Sequence, residues 1–591
     1  MSPTITSATL YGALVNGAQR VGAHTLELNQ ANGFPVPDQD TGSNLSYQFG
    51  AILQELPPKG SLLEILKVLS DTALLRARGN SGSIFSAYFE GWFKAFHQDG
   101  QVLSYEDLDA MFSQGSHLAR SGVMSPSEGT ILTAMQSFAH SFGQALSQKK
   151  QDDPFLEALV ALRRTVEKTK DFLIQQRMLK QADAGALAFL YFIEGLVEGI
   201  KKNGIQSEPA PLRSQKELQA PLVAHVFSDE PLTERYCTQV LLEKKEGVPL
   251  VPKVQSLLKS LGNSQVVTEN DRLLRVHIHC QDPSLIVDRL APLGRLLEVG
   301  AQDMEEQKTL AQSHRGNIAL VIDSIADLPE ELLGPGVFRL PMVLLDDGVA
   351  FSDKRTLSPQ RLQARRKFMT SSQPNDAQIR AFLDPIVAAY DEVLILSVSS
   401  RMSGLYERWQ TYLKNAASPS LHLLDTRLNS AAQGLVCLKA IELLKQGVSL
   451  REMEQNLRDY CKRARIFVSV PDLDGMIQSG RLPLRIGSLL RKLHVLPLIC
   501  INSKGEGAVN GFSFSRSGLE KKLLKKLSPR TIQEYVLVYS GNPTPLLRFA
   551  PKLQKHLGKA PLYVCPSSSV ISLFAGEGAF AVGYLEREEP L

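Results

Sequence analysis

Hydrophobic spacing changes twice along this chain, and the change constrains the fold more than any other feature. From residue 9 to 202 apolar residues recur at three- and four-residue intervals. In 187–200, for example, Leu187, Leu190, Ile193, Leu196, Val197 and Ile200 share one helical face while Glu194 and Glu198 share another. Two strand-like runs follow, 235–241 and 273–279, on either side of the helical-looking LVPKVQSLLKSLG. Beyond residue 317 short apolar runs (318–322, 393–398, 466–470, 495–501, 535–539, 561–565) are interspersed with amphipathic segments such as 376–390 and 448–463. With roughly 100–200 residues per domain, a chain of 591 residues also exceeds what one core can hold.

The three rhythms predict a multidomain chain: an all-α domain over 1–202, a small α+β domain over 222–305 and an α/β domain over 317–591. The stretch 201–221 has three prolines, mixed charge and no apolar period, so 203–221 reads as a linker. The charged MEEQK and polar AQSHRG make 306–316 a second linker. A composition of 43% hydrophobic and 21% charged residues is ordinary for a soluble protein, and a formal charge of +4 asks for no nucleic-acid partner. The first residues lack a secretory signal, and the most apolar run, 184–200, is interrupted by Glu194 and Glu198. Six scattered cysteines form no framework, so the expected setting is the cytoplasm, with reduced thiols and at most peripheral membrane contact.

The segment NGFPVPDQDTGSN, residues 32–44, has neither helical nor strand period. Prolines stiffen its approach, glycines permit unusual backbone angles, and Asp38 and Asp40 stand one residue apart, so a sharp loop can aim both carboxylates at one point. Magnesium favours such oxygen ligands and leaves sites for water and phosphate. In isolation the same residues also suit a solvated turn with a helix cap. Downstream, Arg76-Ala-Arg-Gly-Asn-Ser-Gly82, Pro126-Ser-Glu-Gly-Thr130 and Asp183-Ala-Gly185 each break one helical pattern and open the next. Helix starts present unpaired amides to phosphate, although each could also be an ordinary turn. No GxxxxGK[ST] and no protein-kinase landmarks occur.

Taken in order, NGFPVPDQDTGSN, ARGNSG, PSEGTIL and DAG resemble the DhaL-type ATP-binding domain of dihydroxyacetone kinases, in the version at the front of the bacterial fatty-acid kinase, over about residues 8–200. That resemblance implies an eight-helix barrel binding ATP through Mg2+. It makes Asp38 and Asp40 the metal ligands and catalytic pair, and puts Asn44, Ser81, Gly82, Thr130 and Asp183 at the nucleotide site. Gln39 departs from the family's usual glycine between the aspartates.

In the small domain His277-Ile278-His279 lies on a strand, so both imidazoles share a face, and Cys237 from a neighbouring strand can join them. Half-buried histidines beside a core cysteine fit the same spacing. The segment resembles the middle domain of fatty-acid kinase, which implies a zinc site at Cys237, His277 and His279. Cys280 is the weaker candidate because the next residue faces away.

In the last third, strand ends carry polar groups: Asp323-Ser324, Ser371-Ser-Gln-Pro374, Ser399-Ser-Arg-Met-Ser-Gly404 and Asp425, with Arg481 and Arg516 as charged forks. Gly576-Glu-Gly-Ala-Phe-Ala581 fits GxGxxA, but the chain lacks the second βα unit that a dinucleotide site needs. Residues 317–585 resemble the DegV family, which implies a fatty acid between two α/β lobes with Ser371, Ser400, Arg481 and Arg516 at its head group. Phe574 stands where that family has a polar contact, and Ile325-Ala326 where threonine is common.

Both resemblances in one chain imply a kinase fused to its acceptor carrier, making an acyl phosphate from a bound fatty acid for a downstream acyltransferase. Transfer within one chain and between the chains of a homodimer both remain open. A kinase for a hydroxylated metabolite and a non-catalytic, nucleotide-responsive lipid carrier or sensor are the alternatives.

Overall fold

A computed structural model describes residues 4–32, 40–96, 102–148, 153–172, 181–202, 232–245, 247–312, 318–416, 420–471, 474–478 and 495–588. They form two compact units, Met1–Ala311 and Gln312–Leu591. The expected linker at 203–221 lies outside the described residues.

The first unit opens with helices α1 (Ser7–Ala23), α2 (Thr25–Gln30), α3 (Thr41–Glu55), α4 (Leu62–Arg76), α5 (Gly79–Ala95), α6 (Tyr105–Ser121), α7 (Ile131–Gln148), α8 (Pro154–Thr169) and α9 (Ala184–Lys201), plus a two-residue ribbon of β1 (Ile5–Thr6) and β2 (Val102–Leu103). Their starts follow the chain's own signals: Ser61 and Ser104 make capping boxes with Glu64 and Asp107, and Asp153 caps α8 ahead of Pro154. The interior is aromatic. Phe49, Phe85, Phe89, Trp92, Phe112 and Phe192 are all buried, with neighbouring rings mostly edge to face, and each such Phe contributes about 1.5–3 kcal/mol by burial. Close approach of α5 to α6 requires Gly91 and Gly115, since a Cβ on Gly91 would fall inside contact distance of the Gly115 backbone. No helix among the described residues is long and apolar enough to cross a membrane.

The same unit continues with β3 (Tyr236–Lys244), α10 (Val251–Leu258), β4 (Asn263–Glu269), β5 (Leu273–Cys280), α11 (Pro283–Leu290), β6 (Gly294–Asp303) and α12 (Met304–Gln312). The antiparallel sheet runs β4-β5-β3-β6, four strands where the apolar runs alone predict two. The extra pair is hard to read because NSQVVTE and GRLLEVGAQD are half polar, and β6 has few buried positions. One face packs on α10 and α11, and the other lies on the helical domain, where Val266 joins the aromatic core. Strand β5 is therefore buried at all eight positions. The edge strand β4 also pairs with the turn after α6: Val267 N donates to Gly122 O at 2.8 Å and Met124 N to Gln265 O at 3.1 Å.

The second unit has two lobes. In the first, β7 (Ile318–Asp323), β8 (Val337–Leu340), β9 (Val343–Asp346), β10 (Val349–Ser352), α13 (Pro359–Arg365), β11 (Thr370–Ser372), α14 (Asp376–Ala389), β12 (Glu392–Ser397), α15 (Leu405–Ala416) and β13 (Leu421–Asp425) give a parallel sheet β13-β12-β7-β8 and a small antiparallel sheet β10-β9-β11. Helices α16 (Ser430–Gln446) and α17 (Leu450–Arg463) lead to the second lobe. There β14 (Ala464–Ser469), α18 (Asp474–Gln478), β15 (Leu496–Ile501), β16 (Gly507–Ser513), α19 (Arg516–Lys526), β17 (Ile532–Tyr539), α20 (Thr544–Leu557), β18 (Val564–Pro566), α21 (Ser569–Ala575) and β19 (Phe580–Glu586) build a mixed sheet β16-β15-β14-β19-β17-β18. Helix α16 packs against strands of both lobes, and its first two turns, 430–437, are buried all round, so they carry no polar stripe. A Cβ at Gly434 on α16 would fall inside contact distance of the Asp327 carbonyl and the Tyr563 hydroxyl. Gly434→Ala is expected to destabilise the second unit by about 1–3 kcal/mol, read as an earlier urea transition with the first unit unchanged.

Candidate functional site

Three places concentrate chemistry. At the first, four helices start on one rim: α3 after Asp40, α5 after Arg78, α7 after Thr130 and α9 after Asp183. A Cβ on Gly185 would lie 3.0 Å from Ser81 Oγ, 3.2 Å from Ile131 Cβ and 3.3 Å from Asp183 Oδ1, so the entrances of α5, α7 and α9 touch. Gly79, at φ +64°, would put a Cβ 3.3 Å from Asn44 Nδ2, which brings in α3. Helix starts pool unpaired amides and the positive ends of the helix dipoles, which favours a bound anion.

Individual residues divide by task. Asp183 Oδ1 accepts from Ala186 N at 2.8 Å and is the cap of α9; Thr130 Oγ1 donates to Ser127 O at 2.8 Å. Gly82 O accepts from Gln48 Nε2 at 3.0 Å, and the Asp40 carbonyl accepts from Asn44 N at 2.8 Å. Beside Ser81, the buried Asn80 Oδ1 has no hydrogen-bond partner among the described residues. An orphaned acceptor, clustered helix-start amides and the Asp40 carboxylate fit a nucleotide with its hydrated metal. Asp38 lies outside the described residues.

The second place is on the middle sheet. Ligand atoms of Cys237, His277 and His279 all lie within 4.8 Å of one another. The register explains it: Cys237 sits opposite His279 and Gln239 opposite His277, so all three side chains leave one face. Cys237 Sγ is 3.9 Å from His277 Nδ1, and His277 Nε2 is buried without a partner among the described residues. Burial pushes His277 well below the usual imidazole range and His279 down to about 4, so both rings are neutral at pH 7 with lone pairs available. One thiol and two neutral imidazoles form a donor set that fits a metal ion with one position left open. Cys280 faces the other way, its thiol 3.2 Å from Thr238 Oγ1.

The third place is a cavity of about 340 Å³ in the second unit. Val468, Ile499, Val538 and Phe580 line its apolar part; Ser371, Gln373, Ser403 and Asn429 supply polar groups. Helix α21 forms one wall through Val570, Ile571 and Phe574, and it is held at both ends by the first lobe. Asp327 Oδ1 accepts from Ser568 N at 2.6 Å and Asp353 Oδ1 from Ser569 N at 2.7 Å, while Arg366 Nε donates to Leu573 O at 2.9 Å. Carboxylates at the start and a guanidinium at the end both match the helix dipole.

Of the head-group residues expected from the sequence, Ser371 lines this cavity. Ser400 does not: its hydroxyl donates to Asp425 Oδ2 at 2.6 Å. Arg516 starts α19 on an exposed surface and is not brought to the cavity wall. Among the described residues a strand-end turn folds Ser400 onto Asp425, and the start of α19 leaves Arg516 exposed to solvent. Arg481 lies outside the described residues. Asp323 is a structural acid, fully buried and accepting from Val398 N at 2.7 Å and Gln433 Nε2 at 3.1 Å. Gly576 and Gly578 follow a helix and precede a strand, the reverse of a dinucleotide turn. Sequence reasoning missed Arg275, a charge in an apolar strand at the spacing that shares a face with His277; that spacing was the available signal.

Four helix starts on one rim, in a chain that also carries a two-lobed α/β unit with an apolar cavity, are features that suit phosphate at the first and an apolar ligand at the second. Three family profiles give the parts their names: "DAK2 domain" matches residues 35–198, the middle domain of fatty-acid-kinase-like proteins matches 233–310, and "Uncharacterised protein, DegV family" matches 317–587. The chain thus carries an N-terminal DAK2 (DhaL-type) kinase domain, a fatty-acid-kinase-like middle domain and a C-terminal DegV-family domain. An uncharacterized protein of Staphylococcus epidermidis is 22% identical over 467 residues, 75% of this chain and 83% of that protein. One from Staphylococcus haemolyticus is 25% identical over 303 residues, where the match spans 54% of its length. Among solved structures, a DegV family protein from Eubacterium eligens loaded with heptadecanoic acid is similar over 46% of this chain and all of its own (18% identity, TM-score 0.41). The fatty acid kinase B3 protein of Streptococcus pneumoniae, loaded with linoleic acid, is similar over 46% and 100% (16% identity, TM-score 0.41).

Burial raises the Asp323 carboxyl to about 6. A carboxyl raised on folding favours the folded state below its unfolded pKa, and that contribution is lost as pH rises through about 6. The second unit is therefore expected to gain up to about 3 kcal/mol between pH 7 and pH 4 from this group, and Asp323→Asn to flatten that part of the profile in urea melts.

Proposed function

We propose that this chain transfers the γ-phosphoryl group of ATP, held at the rim of the DAK2 domain, to the carboxylate of a fatty acid held by the DegV-family domain. The observation that carries the proposal is the presence in one chain of a rim of four helix starts and an apolar cavity with hydroxyls in its lining. A carboxylate oxygen attacks the γ-phosphorus, the bond to the β-phosphate oxygen breaks, and ADP and an acyl phosphate leave. The carboxylate is ionised near neutrality, so the acceptor needs no strong base. Asp38 and Asp40 would hold Mg2+, which supplies charge neutralisation to the triphosphate. Helix-start amides orient the phosphates, with Asn44, Ser81, Gly82 and Thr130 close by. Ser371 and its polar neighbours would receive the head group. Cys237, His277 and His279 would hold Zn2+ in the middle domain. An activated acyl group calls for an acyltransferase downstream, and a homodimer offers a second route of transfer between chains.

Phe574 favours a second reading. It lines the cavity with a ring that has no polar atom, which suits a carrier or sensor that binds lipid and nucleotide without joining them.

Purified chain with ATP, magnesium and mixed fatty acids is expected to give hydroxylamine-trappable acyl phosphate; bound lipid and bound ATP with no labile product would sink the kinase reading in favour of the carrier. Asp40→Ala is expected to cut turnover by more than about a hundredfold while leaving lipid occupancy by native mass spectrometry unchanged. Cys237→Ser is expected to lower zinc below one equivalent per chain by elemental analysis.

A further inference from the structure

The last turn of α4 ends without a cap of its own. Ala77, its C-cap, is extended, and the chain then runs through Arg78 into Gly79, the positive-φ start of α5. A helix end leaves its final carbonyls unsatisfied, usually met by a glycine turn. Here side chains from elsewhere meet them. Gln48 Nε2 on α3 donates to Ala73 O at 2.8 Å and also to Gly82 O at 3.0 Å. Arg275 on β5 donates from Nε to Leu74 O at 2.9 Å and from Nη2 to Leu75 O at 2.8 Å. Its side chain is 1% exposed and it also pairs with Glu298 at 2.8 Å. A fixed cation at a helix C-terminus is favoured by the dipole as well as by the hydrogen bonds.

The elbow so held, residues 77–82, is the ARGNSG entrance, with Asn80 and Ser81 at the rim. The middle sheet grips its two arms: Asn270 Nδ2 donates to Asp71 Oδ1 on α4 at 2.7 Å, and Ser86 Oγ on α5 meets Thr268 Oγ1 at 3.3 Å. Through β4 it also pairs with residues 122–124, which lead into the PSEGT entrance of α7. Two of the four entrances are thus set from outside the helical domain.

We infer that Arg275 is a positioning residue for nucleotide binding, and that the middle sheet is a structural part of the nucleotide site through its hold on the ARGNSG and PSEGT entrances. The inference rests on the proposed nucleotide rim. Without Arg275 the elbow loses its cap and samples other exits from α4, so the Asn80–Ser81 amides no longer converge with those of α7 and α9.

The full-length chain with Arg275→Gln, Arg275→Lys or Asp71→Ala, titrated with ATP and magnesium by calorimetry and followed by hydrogen exchange, tests this. Arg275→Gln should weaken ATP binding about tenfold or more and speed exchange at amides 77–83, with α8 and lipid occupancy of the second unit unchanged. Arg275→Lys, which keeps the charge but reaches one carbonyl, should recover part of the loss. A global loss of packing would speed exchange throughout and show no such recovery. If Arg275→Gln does not fold, Asp71→Ala, which loosens the same elbow from the α4 side, should still weaken ATP binding about two- to threefold. Wild-type ATP affinity and exchange in a folded Arg275→Gln, or in Asp71→Ala should the former not fold, would overturn the inference alone. A wild-type chain that binds no ATP would overturn the nucleotide rim with it.

Discussion

A helix leaves amides unpaired at its start and carbonyls unpaired at its end, and the functional regions of this protein are organised by how those ends are met. Four starts left to face one another make the rim of the helical domain. One end, that of α4, is closed by a glutamine and an arginine that belong to other elements. In the second unit α21 is short enough that its two termini dominate its electrostatics, and Asp327, Asp353 and Arg366 hold it as one wall of the cavity. Exposed ion pairs, by contrast, such as Lys462 with Asp459 on α17, contribute little.

The same constraint separates what each unit needs from its own core. Aromatic packing fixes where the described helices run, but it leaves their ends to polar partners. In the second unit α16 joins the lobes by apolar contact, while buried polar groups such as Asp323 and Gln433 fix the register of the connecting loops. Apolar surface sets the architecture and hydrogen-bonded charge sets the sites.

Legibility in the sequence followed this division. Long helices, the central strands β7 and β12 of the first lobe and the Cys237–His277–His279 constellation rest on period and spacing, which a sequence displays directly. Strand β4 was hidden because its polar start, Asn263 to Gln265, breaks alternation and its pairing to residues 122–124 depends on another domain. Ser400 and Arg516 stand out in the sequence because serine and arginine are ligand chemistries, but residue type does not record which neighbours they meet. The hydrogen bond of Ser400 to Asp425 and the exposure of Arg516 on α19 follow from turns whose direction no period records. The expectation of a separate middle domain did not foresee the task of Arg275, since its bonds to the Leu74 and Leu75 carbonyls leave no mark in the residue types of α4.

Strand β5 gathers these threads in LLRVHIHC, eight residues with protein against both faces. Odd positions carry the arginine and the two histidines toward the helical domain; even positions fill the core beneath α10 and α11. No position on the strand is exposed to solvent, where substitutions usually cost little. Mutational tolerance is therefore lowest where the candidate metal ligands and the elbow's cap share one strand, and drift in either is confined to changes that the other permits.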